Sequence, residues 1–176
     1  MTSSAGGVGP IMGSLRSADG KGVVRMEDRF DADIDDLWSA LTDPRRLARW
    51  IGEVEGDLRL GGTFKARFAD GFEGRGRVEE CEPPRHLLLT MRDLDPQPGQ
   101  PDETVIEARL DADGGQTTLV WEERGLPLDT LAAYGAGIQI HVEDLAAHVA
   151  GREGCDIVAR WKELLPAYQA LAADVG

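Results

Sequence analysis

Positive charge is in short supply. Nineteen Lys and Arg stand against 32 Asp and Glu, a formal charge of −13 on 176 residues. A field of that sign disfavours general attraction to nucleic-acid phosphates and anionic lipid. Long apolar runs are also missing: Leu87-Leu88-Leu89 is among the longest, far below the ~20 residues that cross a bilayer. No nucleic-acid partner and no membrane insertion are therefore expected. Cysteine is limited to Cys81 and Cys155, too far apart for a metal or redox motif, and both read as plain thiols. The opening residues carry neither a basic leader nor an apolar block, so a secretory signal is not supported and a cytoplasmic location is the default expectation. Aromatics make up only 6%, yet 41% of the chain is hydrophobic and 29% charged. That composition builds one globular domain with a sizeable core.

Residues 1–21, with Gly6-Gly7, Gly9-Pro10 and scattered Ser, read as a flexible tail outside the fold. From there Val24, Met26 and Phe30 alternate as one face of a strand over 22–30, with Asp28 the exception. Asp33 is placed to cap a helix carrying Ile34, Leu37, Trp38 and Leu41, and Asp43-Pro44 to start a second short helix through Leu47 and Trp50. Between Glu53 and Arg124, turn signals at Gly61-Gly62, Asp70-Gly71, Pro83-Pro84, 95–101 and Asp113-Gly114-Gly115 separate five or six short antiparallel strands in meander order. Phe64, Ala66 and Phe68 share one face, as do Leu87, Leu89 and Met91, and Thr117, Leu119 and Trp121. That apolar face needs a cover. Ile138, Val142, Leu145 and Val149 supply it at helical spacing on a helix ending near Gly151, and a further helix follows with Trp161, Leu164, Leu165, Tyr168 and Leu171. Pro166 is expected to kink or divide that last helix. Trp38 and Trp161 read as core residues.

This order of strand, two short helices, meander and covering helix predicts an α+β helix-grip fold with a curved antiparallel sheet of about six or seven strands. At this point the residues themselves resemble a family. Phe30-Asp31-Ala32, Leu37-Trp38-Ser39-Ala40-Leu41-Thr42-Asp43-Pro44 and Leu47-Ala48-Arg49-Trp50 look like its opening strand and helix pair. Asp57 to Phe64, Val78 to Pro84 with Leu87 and Thr90, and Gly137 with Val142 and Leu145 follow in the family's order. The chain resembles the SRPBCC (START-like) superfamily, in the branch similar to activators of heat shock protein 90 ATPase. The resemblance spans 22–150, leaving 151–176 as an added helix that packs outside or serves a homodimer. Two positions depart from the family's pattern: Ile138 stands where Trp is usual, and Glu123 where many members carry His.

What the resemblance implies is a pocket under the covering helix that holds a small lipophilic or aromatic molecule, with no cofactor. Strand parity and helical spacing direct Trp50, Phe64, Phe68, Met91, Trp121, Ile138, His141 and Leu145 toward it, with Trp50 near the mouth. His141 and Glu123 are the candidate acid–base groups, facing one another across the pocket. They would serve a polyketide cyclase or dehydratase-like reaction of the kind the superfamily includes. The family's name implies a third role, a cofactor for a chaperone partner. His141, Asp144 and His148 share one helix face, but a single face rarely completes a metal site, and no metal is expected. Arg59 with Asp57 and Arg67 with Glu73 read as surface pairs, and Gly71-x-x-Gly74-x-Gly76 lies in strand-like sequence, so it is no phosphate loop.

Overall fold

An Asp-Gly pair sets the first turn. In the computed structural model, which describes residues 11–175, Asp19 and Gly20 take φ values of 53° and 75°. Two successive left-handed residues make the tight hairpin turn whose twist matches the flanking strands. They join β1 (Gly13–Ala18) to β2 (Lys21–Phe30), with Ala18 paired to Lys21. This corrects the expected tail over 1–21: residues 1–10 lie outside the described residues, but 13–18 form a sheet strand. The low apolar content of that stretch hides it, because only one face of β1 packs on the domain and the other faces solvent.

After β2 come α1 (Ile34–Thr42) and α2 (Pro44–Leu47), capped by Asp33 and Asp43, whose carboxylates accept from the Asp36 and Arg45 amides. Six strands follow: β3 (Gly52–Gly56), β4 (Thr63–Phe68), β5 (Glu73–Glu82), β6 (His86–Asp93), β7 (Thr104–Asp113) and β8 (Gln116–Leu126). The single antiparallel sheet has the order β1-β2-β8-β7-β6-β5-β4-β3, so β2 closes onto the end of the meander. Eight strands stand where six or seven were expected, the extra one being β1. The long helix α3 (Leu131–Val149) lies across the concave face, and α4 (Ile157–Ala172) packs on α3. Pro166 does not divide α4. It forgoes one helical hydrogen bond, while Leu164 and Tyr168, both fully buried, hold the helix against the domain on either side of it.

A buried polar network fastens these outer elements. The Tyr168 hydroxyl donates to Gln139 Oε1 at 2.5 Å and accepts from the Gly13 amide at 3.1 Å, and the Met12 amide donates to the same Gln139 oxygen at 3.1 Å. Gln139 Nε2 donates to Glu143, which Arg160 grips through Nε and Nη2 at 2.9 and 2.7 Å. Burial pushes the Tyr168 hydroxyl up to about 12, so it stays a donor. Gly135 makes the close helix approach feasible, since a Cβ there would sit 2.5 Å from the Tyr168 ring. α4 is thereby an integral layer of this chain, tied through α3 to β1.

Candidate functional site

The sheet curves away from α3 along part of its length, and the gap is a cavity of about 390 Å³. That is within the range that holds a small organic ligand. Its wall is mostly apolar. Phe64, Phe68, Met91, Trp121, Ile138 and Trp50 all line it. Phe64 and Met91 face the space from neighbouring rows because Gly76, between them in register, leaves room for the Phe64 ring. Trp50 is only 7% exposed, and its indole N–H donates to the Ala40 carbonyl at 3.0 Å. It is a buried wall residue that ties the turn after α2 to α1. Leu145 does not line the cavity. It is fully buried in the core, one turn beyond His141 on α3.

The ionisable groups of the wall fall into two sets. His141 lies against Phe68, with ring centroids 5.9 Å apart and planes tilted by 57°. Burial lowers its pKa, with Asp70 and Asp144 pulling the other way, so the imidazole is neutral near pH 7. Glu123 lines the cavity on β8, flanked in register by Val24 and Ile106, which are both apolar. Desolvation raises its carboxyl from 4.5 to about 7, against a lowering hydrogen bond from Trp121 Nε1 at 3.1 Å. Its electrostatic neighbour is Tyr134, whose hydroxyl burial raises further with help from Glu123 and Asp93.

Tyr134 and His141 are seven residues apart on α3, about 10 Å along the helix axis at ~1.5 Å per residue. Glu123 stands by Tyr134 at one pole and His141 by Asp70 at the other. The expected pairing of His141 with Glu123 is therefore not what the fold builds. Glu123 has the partner that helical periodicity would have named had α3 been begun earlier, since Tyr134, Ile138 and His141 repeat at i, i+4 and i+7. The three residues His141, Asp144 and His148 serve separate partners: Asp144 accepts from the Cys155 amide at 2.9 Å and Arg46 Nε donates to His148 at 3.2 Å. Among the described residues no cluster of three metal-ligating side chains forms. His86 lies outside the cavity, held to Glu107 at 2.8 Å on the outer sheet face.

A family model for activator of Hsp90 ATPase homolog 1-like proteins matches residues 31–150, the stretch from the end of β2 through α3 that encloses this cavity. The chain belongs to that family. This activator-like domain also superposes on solved structures of the same helix-grip kind. CalU16 from Micromonospora echinospora shares 29% identity at a TM-score of 0.72 over 92% of this chain and 96% of that one. DynU16, a protein of the dynemicin biosynthetic locus, shares 29% identity at a TM-score of 0.67 over 77% of this chain, which spans about half of it, 49%. EF2215 from Enterococcus faecalis, at 21% identity, has the same fold with a TM-score of 0.67 over 90% of this chain and 91% of that one. No curated protein matches the sequence.

The wall also draws on elements other than the sheet face and α3. Ile157 and Trp161 of α4, past the end of the matched stretch, line the cavity, as do Gln100 and Pro101 of the loop between β6 and β7, inside it. Sequence reasoning placed Trp161 in the core and α4 outside the pocket. The signal that separates these readings is the packing of α4 along α3, which depends on the Gly135 and Tyr168 contact and has no local signature.

Proposed function

We propose that this protein binds a small lipophilic or aromatic molecule in the cavity between the sheet and α3. The observation that carries the reading is the cavity itself: about 390 Å³, walled by aromatic and aliphatic side chains from five strands and four helices, with few polar groups among them. Moving apolar ligand surface from water into such a space releases roughly 25 cal/mol per Å² buried, and a few polar points fix its orientation. The likeness to DynU16, a protein of a biosynthetic locus, supports a ligand of small-molecule type. Titrating the labelled protein with sterols, flavonoids, fatty acids and polyketide-like aromatics tests the reading. Saturable amide shifts at Phe64, Met91, Trp121, Ile138 and His141, with quenching of Trp121 and Trp161 fluorescence, are expected. A flat response across the whole panel overturns it.

A second reading, a cyclase or dehydratase, is favoured by one observation: a carboxyl held at about 7 inside an apolar cavity is matched to proton transfer at neutral pH. In this reading Glu123 moves the proton, Tyr134 polarises a substrate oxygen, and His141 serves the far end. Incubation with aromatic β-hydroxy ketones is expected to show dehydration, Glu123 taking the α-proton and returning it to the β-hydroxyl as that leaves as water, and Glu123→Gln should lower the rate by about 10²–10⁴-fold. Full turnover in a folded Glu123→Gln variant eliminates that role for Glu123.

A further inference from the structure

We propose that the cavity selects its ligand by charge, taking a lipophile that ends in a protonated amine and rejecting one that ends in a carboxylate. This deepens the binding reading and rests on it. The ionisable groups in the wall are Asp70, Asp93, Glu123, Tyr134 and His141, and among the described residues no Lys or Arg lines the space. An anionic headgroup would meet no cation there. His141, the one group able to carry positive charge, is held neutral by burial.

The pole at Glu123 has the chemistry an ammonium needs. The Trp121 N–H occupies Glu123 Oε1, leaving the other carboxylate oxygen as an acceptor. Tyr134, which faces Glu123 from α3, makes no hydrogen bond within the described residues and offers a second acceptor lone pair. Asp93 stands at the end of β6 near the same hydroxyl, one of its oxygens engaged by the Asp95 amide. From β2 and β7 only Val24 and Ile106 flank Glu123 in the sheet, and the Trp121 ring on β8 adds an aromatic wall suited to a cation. Asp70 and His141 complete the ionisable groups around the cavity. A carboxylate in this setting has no cation beside it and only the water the cavity admits, and a ligand ammonium supplies the counterion. The remaining wall is apolar, so the rest of the ligand is a hydrocarbon or aromatic body. The net charge of −13 acts in the same direction at long range.

The test uses three naphthylpropyl probes that differ only in the terminal group, an amine, an alcohol or a carboxylic acid, titrated into the full chain by calorimetry from pH 5.5 to 8.5. The amine is expected to bind at least tenfold more tightly than the alcohol at pH 8 and the carboxylate at least tenfold more weakly. The amine-to-alcohol ratio should climb as Glu123 ionises through about 7, with proton release on amine binding near pH 6.5. In Glu123→Gln that ratio should fall toward one and lose its pH dependence. Equal binding of all three probes, or preference for the carboxylate, overturns charge selection and leaves the cavity reading standing. Binding of none of the three, together with a flat response in the wider panel, overturns both.

Discussion

Gly137→Leu should abolish ligand binding while raising the melting temperature. Gly137 lies in the interior of α3, lines the cavity, and would present a Cβ to open space, with nothing within 4 Å. Glycine in a helix interior costs about 0.5–1 kcal/mol relative to alanine, and a leucine side chain dropped into an apolar void gains about 1.5–3 kcal/mol from burial. Both terms stabilise the empty protein, by several degrees in melting temperature for a chain of this length. The same leucine takes up cavity space that a ligand needs, so affinity for any cavity ligand should fall at least a hundredfold. Calorimetric titration beside a thermal scan reads both quantities. Gly135→Ala, two residues away, is the contrast: its Cβ would meet the Tyr168 ring at 2.5 Å, so it should destabilise without filling the cavity. A Gly137→Leu protein that binds as well as the parent would place the ligand elsewhere on the molecule.

The pattern of what the residues revealed has a physical basis. Period-two alternation named Phe64, Ala66 and Phe68, and Leu87, Leu89 and Met91, as inward faces, and the sheet places them so, because each strand has one wet side and one dry side. The Asp33 and Asp43 caps were legible for the same local reason: a carboxylate followed by free amides has one favoured use. β1 was missed although Asp19-Gly20 is a strong hairpin signal, because Gly13 to Ala18 carries a single large apolar residue, Leu15. The site was harder. Which inward residue lines a void and which fills the core depends on where the sheet diverges from α3, a property of the whole sheet's curvature. Ile138 and Leu145 occupy the same stripe, and only the first reaches the cavity. The partner of Glu123 turned on where α3 begins: a start at Leu131 brings Tyr134 into the stripe, whereas a start near Ile138 leaves His141 as the nearest candidate.

Glu123→Gln should stabilise the unliganded protein at pH 8 and leave it nearly unchanged at pH 4.5. The carboxyl is at about 7 when folded against an ordinary 4.5, so the folded state holds a proton that the unfolded state has released between those values. Its contribution to stability is complete below about 4.5 and is lost as pH rises through about 7. A displacement of this size corresponds to about 3 kcal/mol at most, and water reaching the carboxyl through the cavity reduces it to about 2 kcal/mol. The wild-type curve alone would obscure the effect. Glu107 and Glu143, which burial by itself would raise, are held low by hydrogen bonds from Arg124 and His86 and from Arg160 and Gln139, and they lose stability on acidification over a neighbouring range. The wild-type-minus-variant difference cancels those terms and isolates Glu123. Urea unfolding of both proteins at half-unit steps from pH 4.5 to 8.5 should give a difference that grows from near zero to about 2 kcal/mol, with its midpoint between the two pKa values. A difference flat across that span would mean that the carboxyl is hydrated, and proton transfer and charge selection at this pole would both lose their source. An amine ligand at saturating concentration should shrink the difference at pH 8, because it stabilises the ionised wild-type carboxylate and gains nothing comparable from a glutamine.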